Sequence, residues 1–151
     1  MTGVQTCALP ILSRVFWDTN LFIYLFEDYG VLSKAVGKLR SKMLDRGDQL
    51  LTSTLTLGEI LVKPTERNDT ELCRKYERAI STAATMIAFD VKAAKVYAAL
   101  RSERSLKAPD AIQLACAASA NVDLFVTNDE RLQGRHVDGI QFIVALGRVP
   151  I

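Results

Sequence analysis

Apolar residues in this chain follow two rhythms: short unbroken runs, and longer stretches in which they recur every three or four positions. The run LSRVFWD, residues 12–18, predicts a buried strand that ends on an acid. Thr19 and Asn20 then offer capping groups ahead of Leu21, Phe22 and Leu25 at helical spacing. A second helix carries Leu32, Ala35, Val36, Leu39 and Met43 on one face and Lys34, Lys38 and Lys42 on another, with Gly47 as its stop. Residues 49–52 predict a strand. Ser53 or Thr54 caps the helix that follows, which buries Leu57, Ile60 and Leu61 and which Pro64 closes. Leu72, Tyr76, Ala79 and Ile80 mark another amphipathic helix, and residues 85–89 a third strand. Asp90 caps a helix over 91–104. Pro109 opens the next one, which turns Ile112, Ala115, Cys116 and Ser119 inward. Strands over 123–127 and 140–146 complete the pattern.

Strands that alternate with helices, and that are apolar almost throughout, imply an α/β fold with helices on both faces of the sheet. The expected architecture is a three-layer α/β/α domain around a central, mainly parallel sheet, with residues 12–151 forming one domain. Residues 1–11, MTGVQTCALPI, resemble the translation of a sequencing adapter fused to a reading frame. They are expected to be a non-native segment, in which case Cys7 and Pro10 carry no meaning.

Charge and composition narrow the classes. With 19 Lys+Arg against 17 Asp+Glu, the net charge of +2 does not by itself announce nucleic-acid binding. No apolar run is long enough to span a bilayer, and three cysteines without CxxC spacing support neither disulfides nor structural zinc. The expectation is a cytoplasmic protein with no membrane partner. His136 is the single histidine, which leaves little material for a Ser–His–Asp triad or a histidine zinc site. It is expected to be a loop residue. No P-loop string and no GxGxxG after a strand is present.

The acids carry more information. Ligands of open parallel sheets bind beyond the carboxyl ends of the strands. Asp18 ends the first strand and Asp129 follows the fourth. Glu59 lies about one and a half turns into the helix after Ser53, and Asp110 sits in the first turn of its own helix. If these ends converge, four carboxylates share one edge. Their mutual repulsion then calls for a hard divalent cation such as magnesium or manganese, which prefers oxygen ligands. Taken singly, each acid also has a plain structural reading: Asp18 and Asp129 as turn residues, Asp110 as a partner of a helix dipole, Glu59 as a solvated helix acid.

Four strings, VFWDTNLFIYLF, TSTLTLGEIL, KAPDAIQLACA and DLFVTNDERL, resemble in order the four sequence blocks of PIN domains, most of all those of VapC-type toxins of type II toxin–antitoxin pairs. The likeness spans nearly all of the chain after residue 11. It implies a PIN-like α/β/α fold and a Mg2+- or Mn2+-dependent ribonuclease that cuts RNA phosphodiester bonds. It also implies metal and catalytic acids at Asp18, Glu59, Asp110 and Asp129, with polar support from Asn20, Ser53 and Thr127. A cognate antitoxin and a homodimer are further implications. Trp17, before the first acid, is bulkier than the pattern leads one to expect, at a position that should face the core.

Arg101, Arg104 and Lys107 lead into Asp110, and Arg131 and Arg135 follow Asp129. They are candidate RNA-phosphate contacts, with solvated helix ends as the alternative. Three other functions remain open at this point: a PIN nuclease of RNA processing without an antitoxin, a non-catalytic RNA-binding module, and an aspartate-based phosphotransferase using Asp18. The last commonly needs a second acid two residues on, where Asn20 stands.

Overall fold

A computed structural model describes residues 12–103 and 105–151. The adapter-like segment 1–11, with Cys7 and Pro10, and the candidate phosphate contact Arg104 lie outside the described residues. Five strands form one sheet: β1 (Arg14–Trp17), β2 (Gln49–Ser53), β3 (Thr85–Ile87), β4 (Val122–Thr127) and β5 (Ile140–Ala145). Their order is β3-β2-β1-β4-β5, and every strand pairing is parallel. Among the described residues six α-helices cover the sheet: α1 (Thr19–Phe26), α2 (Val31–Arg46), α3 (Thr54–Glu66), α4 (Thr70–Ala83), α5 (Val91–Arg101) and α6 (Ala108–Ser119).

Period-two alternation within the strands divides the core into two layers. Val15, Trp17, Leu50, Leu124 and Val126 point to one side, where they meet Leu21, Val36, Leu39, Met43, Ile60 and Ile80 from α1 to α4. Phe16, Leu51 and Phe125 point to the other and pack on Ala93 of α5 and on Leu114 and Ala115 of α6. Phe16 and Phe125 are register partners on adjacent strands, and their rings stack with centroids 5.1 Å apart. Trp17 is fully buried against Phe22, so its bulk is absorbed by the core, although its indole N–H finds no partner.

Differences from the sequence expectation are local. The cap of α1 is Asp18 rather than Thr19 or Asn20: its Oδ1 accepts from the Thr19 amide at 2.8 Å. Pro64 does not close α3, which runs on to Glu66. A proline in the final turn forfeits one ladder bond only, and its ring is buried. Strand β3 stops at Ile87, α5 ends at Arg101, and residues 146–148 turn into a 3-10 segment after β5. Helix α6 is buried nearly all round, including Gln113, instead of along one stripe. Its alanines allow this close packing, and a side chain at Gly139 (φ +96°) would sit 2.5 Å from the Ala118 carbonyl oxygen. As expected, Gly47 ends α2 in the left-handed region, Ser53 caps α3, and Asp90 caps α5 through the Ala93 amide.

Candidate active site

From β1 the chain moves outward through β2 to β3 on one side, then crosses back to place β4 and β5 on the other side of β1. This reversal is the switch point at which doubly wound sheets open a crevice. Asp18 stands at the carboxyl end of β1 and is buried. Its backbone N–H donates to the Val126 carbonyl at 3.0 Å, which continues the β1–β4 ladder to the edge. Both carboxylate oxygens are held: Oδ1 by the Thr19 amide and Oδ2 by the Thr127 hydroxyl at 2.8 Å. The same Thr127 oxygen accepts from the Asp129 amide at 3.0 Å, so one hydroxyl connects the first acid to the fourth. Asn128, between them, donates to the Tyr24 hydroxyl of α1 at 3.3 Å.

Glu59 reaches the site from α3. Although exposed, it accepts a 2.6 Å hydrogen bond from the Thr19 hydroxyl. Asp110 comes from the first turn of α6 and is half-buried. Arg131 ties the far side together. Its guanidinium forks onto Asp129, at 3.1 Å to Oδ1 and 2.6 Å to Oδ2, and lies 3.6 Å from Asp110 Oδ2.

The charges act on one another. Burial raises the pKa of Asp18 above the ordinary aspartate value, the hydrogen bonds from Thr127 and Thr19 oppose that, and the negative charges of Asp110 and Glu59 raise it further. Burial also raises Asp110, with a push from Asp129 against the opposing cations Arg131, Lys107 and Arg135. Asp129 is lowered, chiefly by its hydrogen bond from Arg131. The four segments therefore meet at one edge, with Asp18 coupled to Glu59 and Asp110, and Asp110 to Asp129. Among the described residues, no three acidic, histidine or cysteine side chains form a ready-made metal cage. Glu59 is turned onto Thr19, and Asp129 onto Arg131. The donor set itself is all carboxylate oxygen under mutual repulsion, which suits a hard divalent ion.

Under the acids lies a polar network that the sequence pattern does not bring out. Gln113 Nε2 donates to the hydroxyls of Thr19 and Thr56, each at 2.9 Å, and its Oε1 accepts from Ser53. Thr52 donates to the Trp17 carbonyl at 2.9 Å. Ser53 thus reaches the acids through Gln113 and Thr19, and Asn20 is exposed. A usable signal was present: Gln113 follows Asp110 by three residues and Thr56 precedes Glu59 by three, so each shares its acid's helix face.

The cations divide by location. Lys107 precedes α6, and with Arg131 it acts on both Asp110 and Asp129. Arg101 instead clamps a loop, donating to the Leu106 carbonyl at 2.7 Å, and Arg135 donates to Ser105 at 3.0 Å. His136 is exposed beside Asp138, at 3.6 Å. Next to Glu59 opens a groove of about 560 Å³ lined by residues that include Phe26, Tyr29, Val62 and Tyr76.

Comparison with curated proteins finds no match. Among solved structures, VapBC2 from Rickettsia felis bound to a promoter DNA fragment is similar, with a TM-score of 0.65 at 15% identity, covering 87% of this chain and 98% of that one. DNA-bound VapBC from Salmonella typhimurium gives 0.66 at 18%, covering 89% and 98%. A toxin–antitoxin complex from Klebsiella pneumoniae gives 0.61 at 24%, covering 86% and 99%. At these identities the likeness speaks to the fold. The family model for the PIN domain matches residues 15–136, which contain all four acids, strands β2 to β4 and all of β1 but Arg14. The chain belongs to the PIN-domain family.

Proposed function

We propose that this chain is a metal-dependent endoribonuclease and the toxin of a type II toxin–antitoxin pair. The observation that supports the reading is that four acids, from four separate segments, are linked through Thr19, Thr127 and Arg131 and couple in charge beside the switch point of a parallel sheet. Asp18, Glu59, Asp110 and Asp129 would hold magnesium or manganese. Such an ion, when bound, neutralises charge on a phosphodiester and lowers the pKa of a water.

The chain's own residues do the positioning. Thr127 and the Thr19 amide fix the rotamer of Asp18, and Thr19 fixes Glu59. Gln113 in turn holds Thr19 from below. Lys107 and Arg131 supply positive charge at the rim, where an incoming phosphate would pass. Arg131 bridges Asp129 and Asp110, which supports reading this edge as one that attracts positive charge.

An antitoxin partner is supported by the toxin–antitoxin complexes among the similar structures. The aromatic groove that touches Glu59 gives such a partner apolar surface beside the acids it would cover. RNA substrate, a homodimer and a cytoplasmic place of action complete the proposal. Among the described residues no helix is long and apolar enough to cross a membrane.

The test is incubation of purified protein with total RNA, with and without magnesium, followed by mapping of the cut ends. Magnesium-dependent cleavage is expected, and Asp18→Asn or Asp110→Asn should lower it by about 100-fold or more. Wild-type activity in Asp110→Asn protein would contradict the assignment.

A further inference from the structure

A second groove, of about 880 Å³, runs between α2 and α4 and shares no residue with the acidic edge. Arg40 lines it from α2, and Arg74, Lys75 and Arg78 line it from α4, against the single acid Glu71. Arg74 and Arg78 are one helical turn apart and so stack on one face, about 5–6 Å from each other. Lys75 stands beside them. Among the described residues the arginines in ion pairs are Arg46, Arg131 and Arg135, so none of these four cations has a carboxylate partner.

Arg40 carries the sharper observation. Its Nη2 donates to the Ala83 carbonyl at 3.3 Å, which fastens the guanidinium to the end of α4. Its Nη1 is shielded from solvent and has no hydrogen-bond partner. Held in place at the α2 wall, the Arg40 guanidinium carries a charge that burial leaves short of hydrogen bonds, so an anion seated in the groove is favoured electrostatically. Planar arginine forks match the oxygens of a phosphate, and cations repeated at each helical turn match a chain of phosphates.

We propose that this groove binds the phosphate backbone of RNA, giving the strand a second contact outside the acidic site. The inference rests on the reading of the chain as a ribonuclease. A docked protein segment is the weaker fit, because such partners anchor through large apolar or aromatic contacts. Here the apolar lining is Leu44 and alanines, whereas the groove beside Glu59 offers Phe26, Tyr29 and Tyr76.

The experiment uses the full chain with Arg74→Gln and Arg78→Gln combined, both on the exposed face of α4. Binding of a fluorescein-labelled single-stranded RNA is measured in EDTA over a series of salt concentrations. The double variant should bind about tenfold more weakly at low salt, and the slope of log affinity against log salt should fall by about 1.4, as expected for two lost phosphate contacts. In magnesium it should cut long RNA more slowly while cutting an oligonucleotide of a few residues as fast as wild type. Equal affinity and slope overturn the groove, whatever the cleavage assay gives. Direct binding of a labelled polyglutamate peptide that is lost in the double variant, while RNA affinity is the same in variant and wild type, also overturns it, in favour of an acidic protein partner. Absence of cleavage by the wild type, with the slope difference intact, overturns the ribonuclease reading and leaves the groove standing.

Discussion

Asp18 links the packing of the sheet edge to its chemistry. Burial lifts its pKa, and the neighbouring charges of Asp110 and Glu59 add to the lift. A carboxyl with a raised folded pKa binds its proton more tightly in the folded chain than in the unfolded one. Its contribution to stability is therefore full below the unfolded value and is lost as pH rises through the folded value. Asp110 has the same sign. Asp129, held low by Arg131, has the opposite one: its contribution is present above the ordinary carboxylate range and is lost as pH falls through its folded value. In EDTA at neutral pH, Asp18→Asn should then melt at the wild-type temperature or a few degrees above it, with the gap closing as pH falls toward about 4. Thermal melts across pH check this. A variant that melts far below wild type at pH 7 would mean that the charge stabilises the apo fold. Gln113 answers to different physics, since it sits buried between three hydroxyls. Gln113→Leu removes the acceptor of the Ser53 hydroxyl and the donor to Thr19 and Thr56, at a cost of about 2–4 kcal/mol. The readout is the urea midpoint at unchanged slope, together with weaker cleavage from a loosened Glu59.

Among the elements, the strands were the most legible. Runs such as VFW and LFV are apolar on both faces, and a strand with two buried faces belongs inside a three-layer parallel sheet. Helix α6 was less so. The pattern turned only Ile112, Ala115, Cys116 and Ser119 inward, and only the network beneath the acids explains why the Gln113 amide is buried as well. Likewise the rule that proline ends a helix misjudged Pro64, because the cost is small within the last turn. Gly139 gave no sequence signal at all, since its need for no side chain arises from a contact with α6 across the fold. Gly139→Ala should cost about 2–4 kcal/mol, combining a left-handed backbone with overlap on a carbonyl that cannot move. Chemical denaturation measures it, and a loss below experimental error would contradict the close approach.

At the scale of the whole molecule, the order β3-β2-β1-β4-β5 could not be read from periodicity, which is silent on which strands are neighbours. That order turns four acids scattered between residues 18 and 129 into one edge. The resemblance to PIN-domain blocks named those acids and Thr127, while Thr19, Thr56 and Gln113 emerged only from packing. Divalent metal should raise the wild-type melting temperature by mass action, and raise it less in Asp110→Asn. The most direct measurement is the anomalous diffraction of manganese in crystals of the wild-type protein. The account predicts a peak bonded to carboxylate oxygens of Asp18 and Asp110, at about 2.0–2.3 Å. A manganese peak on some other face of the molecule, with Asp18 and Asp110 bare at saturating metal, would contradict it.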